Sequence, residues 1–361
     1  MTHPAPFRLG SKTNLFRYSI FCVQDHYPSL PRTLPQFYAE LSDQAMLAEE
    51  LGYDTFFLAE HHFDPYGTVP NPAVALAYLA AKTRQLRLGS AISVLSYHPA
   101  FEVAENYSMV DILSGGRVTL GVGSGYLAHE LAGYGIDLAT KRERYDENMA
   151  VLQKALTGAR FSYRGSHQTI DEMQLNVAPV QALGLPIYVA VSAPPVAYYV
   201  GRQAQNMMFV PYSQLQSIAD IGAVFREYRR GTDEAPIADS DGRFVGDVAV
   251  AFHAHVAATD EEARARAKDP FELYLRTRQR AKHQSFEAIA SEDGLSLVGS
   301  AQTVAAKLGR LYAEGVRHLM LVHNFGAMPA DAAADSMRRF ALEAMPLFLK
   351  EISNNTEAVT I

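Results

Sequence analysis

Two short stretches carry most of the chemistry that this chain can do. Glu60-His61-His62-Phe63 follows the apolar run TFFLA, and Ser96-Tyr97-His98 follows the apolar run SAISVL. Histidine titrates near neutral pH, so histidines gathered at one rim suit proton transfer. Neighbours in an extended segment face opposite sides, so at most one of His61 and His62 points into a common site. Both also fit a bland role, as strand-end histidines bonded to backbone. A metal reading of Glu60, His61, His62 and His98 is set aside. Tandem residues rarely chelate one ion well, and the spacing matches neither H-E-x-x-H nor H-x-H.

Three further sites follow apolar runs in the same way. Gly121-Val122-Gly123-Ser124-Gly125-Tyr126, with His129 and Glu130 behind, reads as a tight turn or as a backbone that lies close against a flat ring or a phosphate. Ser192-Ala193, before Pro194-Pro195, reads as a helix cap or as an anion site at a helix start. His323-Asn324 follows the last apolar run. Phe63, Tyr66, Tyr97, Tyr126 and Met208 are candidates for lining a substrate pocket, although each also fits plain packing. They suggest a partly apolar substrate such as an aldehyde, ketone or hydrocarbon.

The elements that must position these residues alternate strand and helix. Strands are expected over 16–24, 54–59, 86–94, 117–122, 186–191, 206–210, 245–257 and 316–322. Helices are expected over 35–51, 72–83, 100–113, 141–156, 195–202, 214–229, 260–282 and 330–350. Eight such pairs in a single domain over 16–352 predict a (β/α)8 TIM barrel with inserted loops, whose active site lies at the C-terminal ends of the strands. A doubly wound open sheet is the alternative, but FCVQDHYPSLP after the first strand is no Gly-rich phosphate fingerprint. Residues 1–15 read as a flexible leader and 353–361 as a flexible tail. Residues 161–185 suit a small β-excursion, FSYRG then HQTID. The weakly periodic stretch 283–300 reads as a lid over the barrel mouth, or as a helix extension packed at its base.

The bulk numbers agree with an enzyme of this kind. The chain has 361 residues and a net charge of −7, which argues against a nucleic-acid or anionic-membrane partner. It has no membrane-length apolar run and no apolar signal core. Its one cysteine, Cys22, lies in the apolar run FRYSIFCV; it reads as buried and inert, and its solitude rules out an intrachain disulfide. These points favour the cytoplasm.

Taken together, the motifs resemble the bacterial-luciferase family of flavin-dependent monooxygenases. The likeness lies in LGYDTFFLAEHHFDPYG (51–67), in LRLGSAISVLSYHPAFEVAENYSMVDILSGGRVTLGVGSGY (86–126), and in VGSAQTVAAKLGRLYAEGVRHLMLV followed by NFGAMP. It covers most of residues 16–350. The resemblance implies reduced FMN supplied by a separate NAD(P)H flavin reductase, with O2 adding to the ring to give a peroxyflavin that oxygenates a small organic substrate. It also implies a homodimer. It places the essential histidine at His61 and a non-proline cis peptide around Ser90, Ala91 and Ile92. Ser90, Ala91, Ser124, Gly125, Tyr126, Ser192 and Ala193 are then cofactor contacts, and Phe63, Tyr66, Tyr97 and Met208 substrate contacts. There are departures. Ser124 stands where the luciferase catalytic subunit has an arginine for the flavin phosphate, and Val191 and Pro195 where it has a glutamate and a threonine. Only Ser192 is kept from that cluster, and Arg142 or Arg144 offers a substitute cation, or lies on a solvated helix face. Gly123 replaces the reactive cysteine, so light emission has no warrant. Two other readings are a deazaflavin-dependent hydride-transfer enzyme of the same fold and a non-catalytic flavin-binding subunit.

Overall fold

The computed structural model describes residues 16–64, 67–191, 193–235, 246–278 and 284–358. In chain order the elements begin β1 (Arg17–Cys22), α1 (Leu34–Glu50), β2 (Thr55–Leu58), α2 (Pro72–Lys82), β3 (Arg87–Val94), α3 (Ala100–Ser114), β4 (Val118–Gly123), α4 (Ala128–Gly133) and α5 (Lys141–Ala155). The hairpin β5 (Phe161–Arg164) and β6 (Thr169–Met173) follows, then β7 (Ile187–Val191), α6 (Pro194–Arg202), β8 (Asn206–Phe209) and α7 (Ile221–Asp233). The chain ends with β9 (Val248–Ala257), α8 (Asp260–Thr277), α9 (Phe286–Ile289), β10 (Ser296–Ser300), α10 (Ala301–Ala313), β11 (His318–Val322), α11 (Ala330–Arg339) and α12 (Met345–Ala358).

Eight strands close in parallel, in the order β1-β2-β3-β4-β7-β8-β9-β11 and back to β1. This is the expected (β/α)8 barrel. Local signals set the helix starts. Thr33 forms a capping box with Gln36 ahead of α1, with Pro35 in the first turn, and Asn71 accepts the Val74 N–H ahead of α2. Gly115, at φ 70°, ends α3.

Strand alternation sorts the interior into layers. On β1, Arg17 and Ser19 lie at the lower end, and Phe21 and the following Val23 line the upper cavity. Tyr188 and Ala190 of β7 divide in the same way, as do His318 and Met320 of β11. The lower layer is a polar plug. Asp247 pairs with Arg17 and takes the His318 Nδ1–H at 2.8 Å, and His318 Nε2 lies 2.8 Å from Ser19 Oγ. It closes the end away from the chemistry, so the open end is the C-terminal one.

Several expectations change. The stretch 283–300 is no free lid over the residues described, which begin at 284. It forms α9 and β10, with Phe286, Ile289, Leu295, Leu297 and Val298 buried. β10 exists because β9, ten residues long, outruns the barrel. β8 pairs only with Val248–Val250, and β10 continues along that edge from His253 to Ala257. Nor is the stretch a helix extension at the barrel base, since β10 lies on the C-terminal half of β9. α10, which follows it, and the short α4 were not anticipated. The helix expected over 214–229 starts only at Ile221, after two 3-10 turns. The last helix carries a π-turn over Phe340–Ala344 and continues to Ala358, past residue 352 where a tail was expected. The leader and residues 359–361 lie outside the described residues. The hairpin β5–β6 falls where FSYRG and HQTID placed it.

Candidate active site at the barrel mouth

A cavity of about 260 Å³ opens at the C-terminal ends of the strands. Its floor and walls are apolar: Phe21, Val23, Ala59, Ala91, Ile92, Met208 and Met320. Its main polar groups come from two strand ends and three helices. They are His61 after β2, Ser124-Gly125-Tyr126 after β4, Glu130 on α4, Lys141 at the start of α5, and Tyr274 and Arg278 at the end of α8.

His61 lines the cavity and His62 turns away from it, as alternation requires. The Nδ1–H of His61 donates to Glu130 Oε1 at 3.0 Å. The same oxygen accepts the backbone N–H of His62 at 2.8 Å, and Glu130 Oε2 accepts from the Tyr97 hydroxyl at 3.1 Å. Burial opposes the charge on Glu130, but the hydrogen bond and charge of His61, with the bonds from His62 and Tyr97, outweigh it. Its carboxyl is held below the ordinary range. An acceptor fixed on Nδ1–H leaves Nε2, at the far edge of the ring, as the nitrogen that trades protons. Gly67 buttresses the other side. It sits at φ 75°, and a Cβ there would come within 2.5 Å of His61 Cβ.

A second cluster lies behind the first. His62 Nε2–H at 3.0 Å and His98 Nε2–H at 2.8 Å both donate to Glu60 Oε1, and the Val94 N–H donates to Oε2 at 3.1 Å. The Tyr134 hydroxyl lies 3.1 Å from His62 Nδ1. Burial disfavours the Glu60 charge, but the bonds from His62 and His98 more than offset it and its pKa falls. Burial lowers the pKa of His98, but the bond to Glu60 outweighs it and the net shift is upward. The ligand atoms of Glu60, His62 and His98 lie within 4.8 Å of one another, so the fold gathers a His2Glu donor set that the spacing alone did not reveal. His61, which was weighed with them, belongs to the other cluster.

The sequence candidates divide on geometry. His61, Ala91, Ser124, Gly125, Tyr126 and Met208 line the cavity, and the Ala91–Ile92 peptide is cis. Four others stand outside the lining. Ser90 is buried and donates to Gly121 O at 2.8 Å, so it stitches β3 to β4. Phe63 is 66% exposed and packs against Tyr134. Tyr97 lies behind His61, holding Glu130, with its ring stacked 4.8 Å from that of Tyr134. Ala193 is the residue ahead of α6 and caps it with no side-chain bond. Tyr66 and Ser192 lie outside the described residues. Arg142 is exposed and pairs with Asp146, and neither it nor Arg144 reaches the lining. Cys22 is buried, its thiol pushed up to about 11 chiefly by desolvation.

Four contributors were not foreseen. Lys141 reaches the cavity one residue before Arg142. Arg278 is buried and pairs with Asp25, whose other oxygen accepts the Gly326 N–H at 2.7 Å. The Tyr212 and Tyr274 hydroxyls bond to each other beside it. No motif marks these positions, because tertiary packing alone brings them to the rim.

Comparison with known proteins gives the chemistry a frame. Residues 16–318 match the family model described as luciferase-like monooxygenase. This chain belongs to that family. Among its relatives, the uncharacterized protein y4wF of Sinorhizobium fredii is 31% identical over 326 residues, covering 87% of this chain and 92% of that one. The 4-hydroxyprotoasukamycin monooxygenase of Streptomyces nodosus subsp. asukaensis is 33% identical, covering 60% and 58%. An F420-dependent glucose-6-phosphate dehydrogenase of Microbacterium testaceum is 30% identical, covering 46% and 51%. Solved structures share the fold. Monooxygenase RslO1 of Streptomyces bottropensis superposes with a TM-score of 0.81 at 24% identity, over 91% of this chain and 99% of its own. The oxygenating constituent of 3,6-diketocamphane monooxygenase of Pseudomonas putida, in complex with FMN, does so at 0.76 and 18%, over 92% and 98%. This luciferase-like chain is thus an enzyme of a family that includes monooxygenases and F420-dependent oxidoreductases. Among its described residues, no helix is long and apolar enough to cross a membrane.

Proposed function

We propose that this enzyme is a monooxygenase that takes reduced FMN from a separate NAD(P)H flavin reductase and uses O2 to oxygenate a small, partly apolar substrate. One observation carries this reading: His61, its Nδ1–H tied to a buried carboxylate, stands in the wall of a cavity with an apolar floor at the barrel mouth. The cavity suits a flavin. Ala91, Ile92, Gly123 and Ala190 offer a wall of small or apolar groups, and a Cβ on Gly123 would meet Ile92 Cδ1 at 2.2 Å. Ser124 and Lys141 supply polar contacts beside that wall.

Reduced FMN, when bound, supplies the two electrons with which O2 is activated. The chain's own residues do the rest. The apolar floor keeps water from the reacting atoms. His61 Nε2 gives or takes a proton, and Glu130 fixes the ring so that Nε2 does so. Tyr97 and the His62 N–H hold Glu130 in turn. The Glu60 cluster locks the β2 and β3 ends behind His61. The solitary buried Cys22 fits a cytoplasmic enzyme. The exposed apolar side chains Val74 and Tyr78 of α2, and Met109, Ile112 and Leu113 of α3, fit the homodimer reading.

The test uses the purified chain with FMN, NADH, a flavin reductase and 18O2 against a panel of aldehydes, ketones and hydrocarbons. Label from O2 is expected in the organic product. His61→Ala should lower turnover about 100-fold or more, with His62→Ala milder. Hydride transfer with F420 and no label in any product would replace this reading with the deazaflavin one. Flavin binding with no turnover of any kind would favour a non-catalytic subunit.

A further inference from the structure

We propose that Glu60, His62 and His98 form a zinc site that pins the ends of β2 and β3 together behind His61. The sequence argument against a metal rested on the tandem histidines, and the fold removes it. His61 turns into the cavity. Glu60 and His62 remain, two positions apart and therefore on one side of the chain, and His98 joins them from the end of β3. The site stands apart from the flavin reading and needs none of it.

The donor set is compact. Glu60 and His62 are buried, and the ligand atoms of the three residues lie within 4.8 Å of one another. Glu60 Oε1 is 3.0 Å from His62 Nε2 and 2.8 Å from His98 Nε2. Neighbouring ligands on an ion with bonds of about 2.0–2.1 Å stand about 2.8–3.4 Å apart, so both separations suit a shared ion. Two imidazoles with one carboxylate are a set that zinc takes. Without an ion, two N–H groups converge on one carboxylate oxygen; a bound ion replaces both protons. The outer contacts fit that exchange. The Tyr134 hydroxyl, 3.1 Å from His62 Nδ1, can donate to that nitrogen or accept from it, so His62 can move its proton to Nδ1 and free Nε2. Glu60 Oε2 is fixed by the Val94 N–H. Asn148 Nδ2 donates to Leu95 O at 2.6 Å and to His98 O at 3.1 Å, which holds the turn that carries His98.

A second observation, on the other side of Glu60 and His98, asks for a ligand. A void of about 10 Å³, room for a single water, adjoins both residues. Asn71, Ser93, Glu102 and Tyr107 also line it. Tyr107 is 2% exposed, and its hydroxyl, though near Ser90 and Ser93, makes no hydrogen bond of good geometry among the described residues. Buried hydroxyls are rarely left so. A water bound to the ion from this void completes four ligands and gives the Tyr107 hydroxyl its partner. Glu102 adds a second negative charge beside it. The void takes one small ligand, and His62 and His98 stand outside the lining of the main cavity, so the ion holds rather than reacts. Zinc, which has no redox chemistry, suits that role.

The experiment strips the full-length protein with a chelator, removes the chelator, and titrates with Zn2+ by calorimetry, with Co2+ as a spectroscopic probe. Zn2+ is expected to bind once per chain at micromolar affinity or tighter and to raise the melting temperature. Co2+ should give the visible bands of a low-coordinate site, and Zn2+ should abolish them. His98→Ala and Glu60→Gln should each weaken Zn2+ about a hundredfold or more, and Tyr134→Phe, which keeps the ring and loses the hydroxyl, about tenfold. H61A should leave the affinity unchanged. Y134F is conservative and carries the test if the ligand variants fail to fold. No saturable binding in the wild type would overturn the site and leave a hydrogen-bonded cluster only. Unchanged affinity in both H98A and Y134F, or a loss in H61A equal to that in H98A, would overturn it too.

Discussion

Glu130→Gln tests whether the buried carboxylate works through His61. The glutamine keeps the shape and can still offer an oxygen to the His61 Nδ1–H and the His62 N–H, now at 3.0 and 2.8 Å. Its amide meets the Tyr97 hydroxyl, which can turn to accept. What is lost is charge. A hydrogen bond to a charged group contributes roughly 1.5–3 kcal/mol and a neutral one roughly 0.5–1.5, so the difference is about 1–1.5 kcal/mol. That is about a five- to tenfold fall in kcat if the loss is felt in the transition state. Glu130→Ala also removes the acceptor. It orphans the buried His62 N–H and frees the His61 ring, so a loss of about a hundredfold or more is expected, along with lowered stability. The assay is steady-state oxygenation, together with the ratio of product to hydrogen peroxide, for E130Q, H61A and the double variant. A residue that acts only through His61 costs nothing further once His61 is gone. If E130Q lowers kcat as much in the H61A background as in the wild type, the positioning role is refuted.

His253 is buried among Tyr212, Phe271, Tyr274 and Phe325, and neither ring nitrogen has a hydrogen-bond partner among the described residues. Burial, then the Arg278 charge, lowers its pKa to about 3. The unfolded chain therefore takes up this proton first, and stability is lost as pH falls from about 6.5 towards 3. His253→Phe should raise the melting temperature more at pH 5 than at pH 8; an equal shift at both would refute the linkage. Gly67→Ala forces a Cβ into His61 from a left-handed backbone. It should cut turnover severalfold and cost about 1–2 kcal/mol in denaturant unfolding, and an alanine variant with normal turnover would show that Gly67 does not hold the ring.

The sequence alone determined the barrel, because strand–helix alternation is a local signal written in residue periodicity and repeated eight times. Alternation also separated His61 from His62, since neighbours on a strand face opposite sides without any tertiary information, and the family resemblance named His61 as the one that faces the site. Segments whose state depends on a neighbour were not legible. β10 is a strand only because β9 outruns β8 and leaves an edge to pair with. Glu130 was visible only as a residue behind the β4 turn, since its bond to His61 spans 69 positions. Phe63 and Tyr97 looked like pocket residues because they are aromatic and sit at strand ends, but backbone direction after the strand turned one to the surface and the other behind the histidine. The gathering of Glu60 with His62 and His98, and the entry of Lys141 and Arg278 into the cavity, belong to the tertiary structure for the same reason. Spacing along the chain fixes which way neighbouring residues face, but which distant side chains share an oxygen or a wall depends on how whole elements dock.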